Sequence, residues 1–254
     1  MTTILVTGGT GTLGRLVTER LRTDGHEVRV LSRHSRPYAV DLREGGVGLD
    51  TALAGVDTVV HCATTQRGGD ERSAAHLVAA AKRAGVAHLV YISIVGVDRV
   101  PLGYYRSKLA VERLVEESGI GWTVLRATQF HDLVVGVLQA LARMPVLVLP
   151  AHASDQPVEV SEVADRLAGL AVGAPAGRVP DLGGPEVRTF ASLARSYLDA
   201  TGHRRAVVNV PLAGKTYRAF RAGGHLAPEH AVGKGTFEEY LAVRFGGGEG
   251  GRRG

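Results

Sequence analysis

A chain of 254 residues, 44% hydrophobic and 22% charged, has enough apolar material for one α/β domain or one and a half, with a sizeable core. Its single cysteine, Cys62, excludes an intramolecular disulfide framework and a cysteine-based zinc site. The net charge of +5 comes from scattered arginines, with lysine only at 82, 108, 215 and 234. No basic run alternates with aromatics, so nucleic-acid binding is not expected.

The first element is an apolar run, Ile4-Leu5-Val6, that reads as a buried strand. Thr7-Gly8-Gly9-Thr10-Gly11-Thr12-Leu13-Gly14 follows it, and Leu13, Leu16, Val17 and Leu21 then share one face of a helix. Strand, glycine turn and helix in that order form the context of a dinucleotide-binding fingerprint. The turn is tight, the backbone must approach a pyrophosphate, and the open N–H groups at the helix start bind phosphate. Gly8, Thr10, Gly11, Thr12, Leu13 and Gly14 are therefore candidate cofactor-binding residues.

A strand over 27–32 ends about twenty residues later in Ser32-Arg33-His34-Ser35-Arg36. An NAD enzyme places a carboxylate there against the ribose hydroxyls, whereas an arginine pairs with a 2′-phosphate. Ser32, Arg33 and Arg36 thus favour NADP(H) over NAD(H), with NAD(H) still open. A short edge strand near 38–42, a brief helix at 50–54 and a strand at 56–61 come next. Cys62-Ala63-Thr64 then lies beside the expected dinucleotide path, with Cys62 itself read as a small core residue.

An alanine-rich helix over 71–84 leads to a strand over 87–93 ending in Ser93. Pro101-Leu102-Gly103 makes a loop, and a helix opens on Tyr104-Tyr105-Arg106-Ser107-Lys108 and runs to about residue 118. Tyr104 and Lys108 are four apart and share a helical face. A strand over 121–126 ends in Arg126, which reads as structural, and Gln129, Phe130 and His131 follow it.

Beyond residue 127 the order loosens. The pattern predicts a helix over 131–143, short strands near 146–149 and 157–160, and a helix to about 171 with Ser161 as its N-cap. A strand near 177–182, a helix from Thr189 to about 201, a strand over 206–210 and two terminal helices complete the series. Leu133 to Leu149 is the most apolar stretch, but Gln139, Arg143 and Pro145 interrupt it, so no membrane span is expected. No signal peptide is visible, and the expected location is cytoplasmic. The histidines show no metal-ligand spacing, and no metal is expected.

The alternation predicts an α/β fold, a Rossmann-type doubly wound parallel sheet with a small C-terminal substrate lobe. Residues 1–127 would form the dinucleotide-binding core. Residues 128–245 would supply the interleaved end of the sheet and the substrate lobe, and 246–254 a disordered tail.

The glycine turn, the strand-end Ser93 and Tyr104-x-x-x-Lys108 resemble the short-chain dehydrogenase/reductase superfamily. The glycines at 8, 11 and 14, with Tyr-Ile-Ser-Ile-Val-Gly-Val and Thr-Val-Leu-Arg-Ala-Thr-Gln-Phe-His-Asp, are similar to its atypical, NAD(P)-binding NmrA-like group. The resemblance spans roughly 3–245 and is strongest before 132. It implies that Tyr104 donates a proton, that Ser93 polarises a carbonyl, and that Lys108 holds the nicotinamide ribose and lowers the tyrosine pKa. It also implies that Asp41-Leu42 contacts the adenine.

Two features depart from that pattern. Many members use an asparagine on a helix before the serine strand for a proton relay, and the only asparagine here is Asn209. The NmrA-like group also contains regulators that bind the dinucleotide without turning it over, but those commonly lack the tyrosine. The resulting expectation is an NADPH-dependent oxidoreductase reducing a small, mainly apolar ketone, enone or quinone. The alternatives are a dinucleotide-sensing regulator and, less favoured, a sugar-nucleotide epimerase or dehydratase. Tyr105, Gln129, Phe130 and His131 are the candidate substrate contacts, with His131 also a candidate second acid/base.

Overall fold

The computed structural model describes residues 1–65 and 68–246. In chain order the strands are β1 (Thr3–Thr7), β2 (Glu27–Ser32), β3 (Tyr38–Ala39), β4 (Thr58–His61), β5 (His88–Ile94), β6 (Gly121–Ala127), β7 (Val146–Pro150), β8 (Ser154–Asp155), β9 (Gly177–Arg178), β10 (Arg188–Thr189) and β11 (Ala206–Val210). The helices are α1 (Thr12–Thr23), α2 (Val47–Leu53), α3 (Asp70–Ala84), α4 (Gly103–Glu116), α5 (His131–Leu141), α6 (Val160–Val172), α7 (Phe190–Thr201), α8 (Lys215–Arg221) and α9 (Phe237–Phe245).

Two compact units divide the chain. The first comprises Met1–Asp98, Leu102–Arg126 and Ser161–Pro180, and the second Arg99–Pro101, Ala127–Val160 and the chain from Asp181 onward. The first unit is built on a seven-stranded parallel sheet in the order β3-β2-β1-β4-β5-β6-β9. Parallel strands are covered on both faces, and β4 and most of β5 are accordingly buried without alternation. One face packs Leu5, Leu31, Leu89 and Val124 against Leu53 of α2, Leu77 of α3 and Val111 of α4. Helix α1 buries Leu13, Val17 and Leu21, and its Arg20 reaches Asp165 of α6 at 2.6 Å. Strand order reverses between β1 and β4, so ligands of such a sheet bind beyond the carboxyl ends of those two strands.

A buried ion pair ties β6 to α4. Arg126 bonds Glu112 through Nε (2.8 Å) and Nη2 (2.6 Å), and its Nη1 reaches Asp98 at 2.8 Å. This bears out the structural reading of Arg126.

The second unit has its own core, in which Val135 and Leu138 of α5 pack with Leu147, Leu193, Tyr197 and Leu241. It holds two small sheets, the antiparallel pair β8–β10 and the parallel pair β7–β11. Thr189 caps α7, and a capping box between Thr236 and Glu239 opens α9.

Several local expectations are corrected. The strand expected over 157–160 reduces to one bridge between Val158 and Phe130, because Pro157 has no N–H to extend a ladder. The paired strand is β8 instead. Helix α6 starts at Val160, which places Ser161 inside the helix and not at its cap. The strand expected over 177–182 stops at Arg178, and Pro180 interrupts it before Leu182 bridges Ala127. The helix expected over 50–54 begins at Val47, and the edge strand near 38–42 shortens to Tyr38–Ala39. Among the described residues no helix is long and apolar enough to cross a membrane. The tail expected to be disordered lies, beyond Gly246, outside the described residues.

Candidate functional site

The glycine turn lies at the switch point, and two of its glycines are dictated by space. Gly8 has φ +65°, and a Cβ there would lie 2.8 Å from the Ala63 backbone beyond β4. A Cβ on Gly14 would run into the Gly8 carbonyl oxygen. Gly11 N–H closes the turn onto Gly8 O at 2.9 Å, and Gly11 is the N-cap of α1. No side chain caps α1 and its first turn carries no acid, so its leading N–H groups are left for an external acceptor. Thr10, Gly11 and Thr12 are exposed at this point, whereas Leu13 is buried. The cradle fits the pyrophosphate of a dinucleotide.

Thr7 joins the two strands at the switch point. Its Oγ1 lies 2.7 Å from His61 Nδ1 and accepts the Ala63 N–H at 3.2 Å. Burial pushes the Cys62 thiol up to about 12, which suits a packing residue and not a nucleophile. At the end of β2, Ser32 and Ser35 bond reciprocally at 2.9 Å and fix a turn that leaves Arg33 and Arg36 exposed. Asp41 is engaged by Arg43, whose guanidinium and backbone N–H hold its carboxyl down to about 2. The Leu42 side chain packs into the hydrophobic core of the first unit.

Tyr104 and Lys108 share a face of α4, as their spacing predicts. Lys108 is buried, its Nζ 3.4 Å from Ile92 O and 5.0 Å from the centre of the Tyr91 ring. Burial brings its pKa down to about 8, against the opposing pull of Asp70 and Glu112. Ser93 lies on the same strand as Ile92, with its hydroxyl buried and, among the described residues, without a hydrogen-bond partner. A buried orphan hydroxyl is uncommon in a folded protein and fits a ligand group as its missing partner.

The Tyr104 hydroxyl lies 3.0 Å from Thr64 Oγ1, and Thr64 Oγ1 donates to Asp70 Oδ2 at 2.6 Å. Thr64 has one hydroxyl proton, and Asp70 takes it. With that proton directed at Asp70, Tyr104 is the donor to Thr64. Asp70 also accepts the Thr65 N–H at 2.8 Å. Burial raises the Tyr104 pKa, opposed by the Thr64 hydrogen bond and aided by the Asp70 carboxylate. Lys108 Nζ lies 6.0 Å from the centre of the phenol ring.

The remaining candidates divide. Tyr105 is buried, and Gln129 and Phe130 are half-buried in the second unit, where Gln129 O accepts the Val158 N–H at 2.9 Å. His131 is inside the core of that unit, its ring 5.2 Å from Tyr240 and 5.6 Å from Phe237, with Nε2 3.2 Å from Gly235 O. This packing makes it a buried residue of that core. Three residues were missed by sequence reasoning. Asp70 had a signal as a carboxylate in the first turn of a helix. Tyr91 had one as the residue two before Ser93, on the same side of the strand. His61 had none.

The model of the NAD(P)H-binding family matches residues 8–141, just over half of the 254 residues. The chain belongs to the NAD(P)H-binding family. A (4-alkanoyl-5-oxo-2,5-dihydrofuran-3-yl)methyl phosphate reductase of Streptomyces griseus is 37% identical over 138 residues, 50% of this chain and 48% of that protein. Quinone oxidoreductase 2 of Escherichia coli is 25% identical over 223 residues, 82% of this chain and 77% of its own length. The chain spans from 19% to 48% of the length of the first curated relatives it matches. In fold it is similar to the Escherichia coli NADPH-dependent quinone oxidoreductase crystallised with NADPH, with a TM-score of 0.81 at 20% identity over 95% of this chain and 99% of that one.

Proposed function

We propose that this protein is an NADPH-dependent oxidoreductase that reduces a small, mainly apolar ketone, enone or quinone. The observation that carries the reading is the Tyr104 phenol on one helical face with buried Lys108, its Nζ 6.0 Å from the ring centre, on an NAD(P)H-binding fold. A phenol in its neutral form is equipped to give a proton to a carbonyl oxygen. The reductase and the quinone oxidoreductase among the similar proteins support the same class of reaction.

The roles follow from position. Gly8 to Gly14 would hold the pyrophosphate, and Arg33 and Arg36 a 2′-phosphate, since no carboxylate ends β2. Asp41 already carries Arg43 and Leu42 is packed in the core, so their backbone is what the adenine would meet. Ala63 and Thr64 would border the dinucleotide at the end of β4. Lys108, with its pKa near 8, keeps its ammonium at neutral pH to hold the nicotinamide ribose. The nicotinamide, when bound, supplies the hydride. Ser93 would donate its unpartnered hydroxyl to the substrate carbonyl, and Tyr104 would protonate the developing alkoxide. In place of the missing asparagine relay, the Asp70 carboxylate would favour the neutral phenol, so that the phenolate left after proton transfer takes a proton back from water. The second unit would supply the substrate lobe.

The test is NADPH oxidation against a panel of ketones, enones and quinones, run in parallel with NADH. Turnover of one compound with NADPH preferred supports the reading. Tight NADPH binding with an inert panel would instead favour a dinucleotide sensor.

A further inference from the structure

The parallel pair β7–β11 has two unlike faces. Leu147 and Leu149 point into the core of the second unit and are 0% and 4% exposed. The cross-strand pairs Val146–Ala206, Val148–Val208 and Pro150–Val210 line the opposite face. Val148 is 54% and Val208 44% exposed, and Met144 before β7 and Leu212 after β11 are 60% and 53% exposed. Every side chain of this outward face is apolar.

Its surroundings are basic. A hollow of about 590 Å³ at the start of β11, between it and α7, is lined by Arg195, Asp199, Arg204 and Arg205 and by Leu198 and Val207 of the core-facing side. Arg143 stands beside Met144 at the start of β7, and Lys215 follows Leu212 at the far end. Among the described residues Arg143, Arg195, Arg204 and Arg205 enter no ion pair, and Asp199 is the one carboxylate lining the hollow. Arg143, Arg204 and Arg205, at the end of the pair where both strands start, make this aliphatic face complementary to a surface that is apolar within and anionic at its rim.

We propose that this face docks on an anionic lipid bilayer. The valine pairs, with Met144 and Leu212, enter the interfacial layer, and lipid phosphates meet Arg143, Arg204 and Arg205 at the end where both strands start. A second copy of the chain suits the face less well, because it would bring one basic flank against another. A protein partner also suits it less, because the face offers no tyrosine or tryptophan anchor. The proposal uses no residue of the cofactor site and stands apart from the reductase reading.

Co-sedimentation of the full chain with vesicles of phosphatidylcholine alone, or of phosphatidylcholine mixed with phosphatidylglycerol, tests it. Binding is expected only to the mixed vesicles and is expected to weaken as salt is raised. Arg204→Gln with Arg205→Gln should weaken that binding roughly thirtyfold, about fivefold per arginine. Val148→Asp with Val208→Asp should abolish it, with NADPH affinity unchanged in both variants. Equal binding to both vesicle types, or variants that bind like the parent, would overturn the proposal. So would a dimer of the parent that Val148→Asp dissociates. Inorganic phosphate binding in the hollow, with the valine substitutions without effect on vesicles, would mark a small-anion site and overturn it as well.

Discussion

The hydroxyl of Tyr104 lies 3.0 Å from Oγ1 of Thr64, across 40 residues of chain. Because Thr64 spends its proton on Asp70, the contact has a direction, and Tyr104 is its donor. Replacing Asp70 by Asn keeps an acceptor for Thr64 and removes the charge that adds to burial in raising the phenol pKa. The phenol pKa then falls, so the loss of kcat at alkaline pH should begin at lower pH than in the parent. Thr64→Val keeps the shape and removes the acceptor, and kcat should fall roughly tenfold, the scale of one lost hydrogen bond. A pH–rate profile of each variant checks both, and an unmoved alkaline limb in Asp70→Asn would sever Asp70 from Tyr104.

What was legible in the chain was local. The turn from Thr7 to Gly14 and the Tyr104–Lys108 spacing are read within a single turn or helix, where period and steric demand act on neighbouring residues. Arg126 was read as structural, and the structure pairs it with Glu112. The Thr64–Tyr104 contact could not be read, since it depends on how β4 and α4 meet across the fold. His131 followed a strand in a polar-looking stretch, and nothing local announced that Phe237 and Tyr240, over a hundred residues away, would cover it. Small strands failed for a different reason: at Pro157 and Pro180 a missing N–H outweighed apolar composition.

Two glycines of the turn should separate folding from binding. At Gly14 an added methyl collides with the Gly8 backbone, and backbone cannot yield cheaply. Gly14→Ala should destabilise the protein by about 1–3 kcal/mol, as overpacked sites do. At Gly11 an added Cβ meets only the Gly8 carbonyl oxygen, at 3.2 Å, a tight contact relieved by a shift of a few tenths of an ångström. Gly11→Val should therefore fold with a smaller loss of stability and still lose NADPH. Thermal unfolding and calorimetric titration of the two variants give the comparison, and a Gly11→Val variant with full affinity would refute the cradle.

Arg126 and Glu112 form a pair whose side chains are 4% and 2% exposed. Glu112→Ala leaves the guanidinium buried with only Asp98, and should cost about 3–5 kcal/mol. Asp98 is 42% exposed, so Asp98→Ala should cost about 1 kcal/mol or less. Urea unfolding of both variants measures the difference, and equal losses would contradict the assignment of the buried partner.

Asp155 is buried, with the Gln156 N–H on its Oδ1 at 2.8 Å, and burial pushes its pKa up from 3.8 to about 7. The unfolded chain ionises this group first as pH rises, so its contribution to folding is greatest below 3.8 and is lost as pH passes 7. Parent stability should therefore fall relative to Asp155→Asn between mildly acidic and mildly alkaline pH. The fall should reach a few kcal/mol, since each tenfold difference in proton affinity between the folded and unfolded chain is worth roughly 1.4 kcal/mol. Parallel pH curves of melting temperature for the two proteins would show that Asp155 is not the group responsible.

The most direct test of the reductase account is the turnover of Tyr104→Phe. The substitution keeps the ring and removes only the hydroxyl, so NADPH affinity should hold. General acid catalysis is typically worth roughly 10²–10⁴ in rate, and kcat on the best substrate of the NADPH panel should drop by that order. A Tyr104→Phe variant as fast as the parent on that substrate would contradict the account.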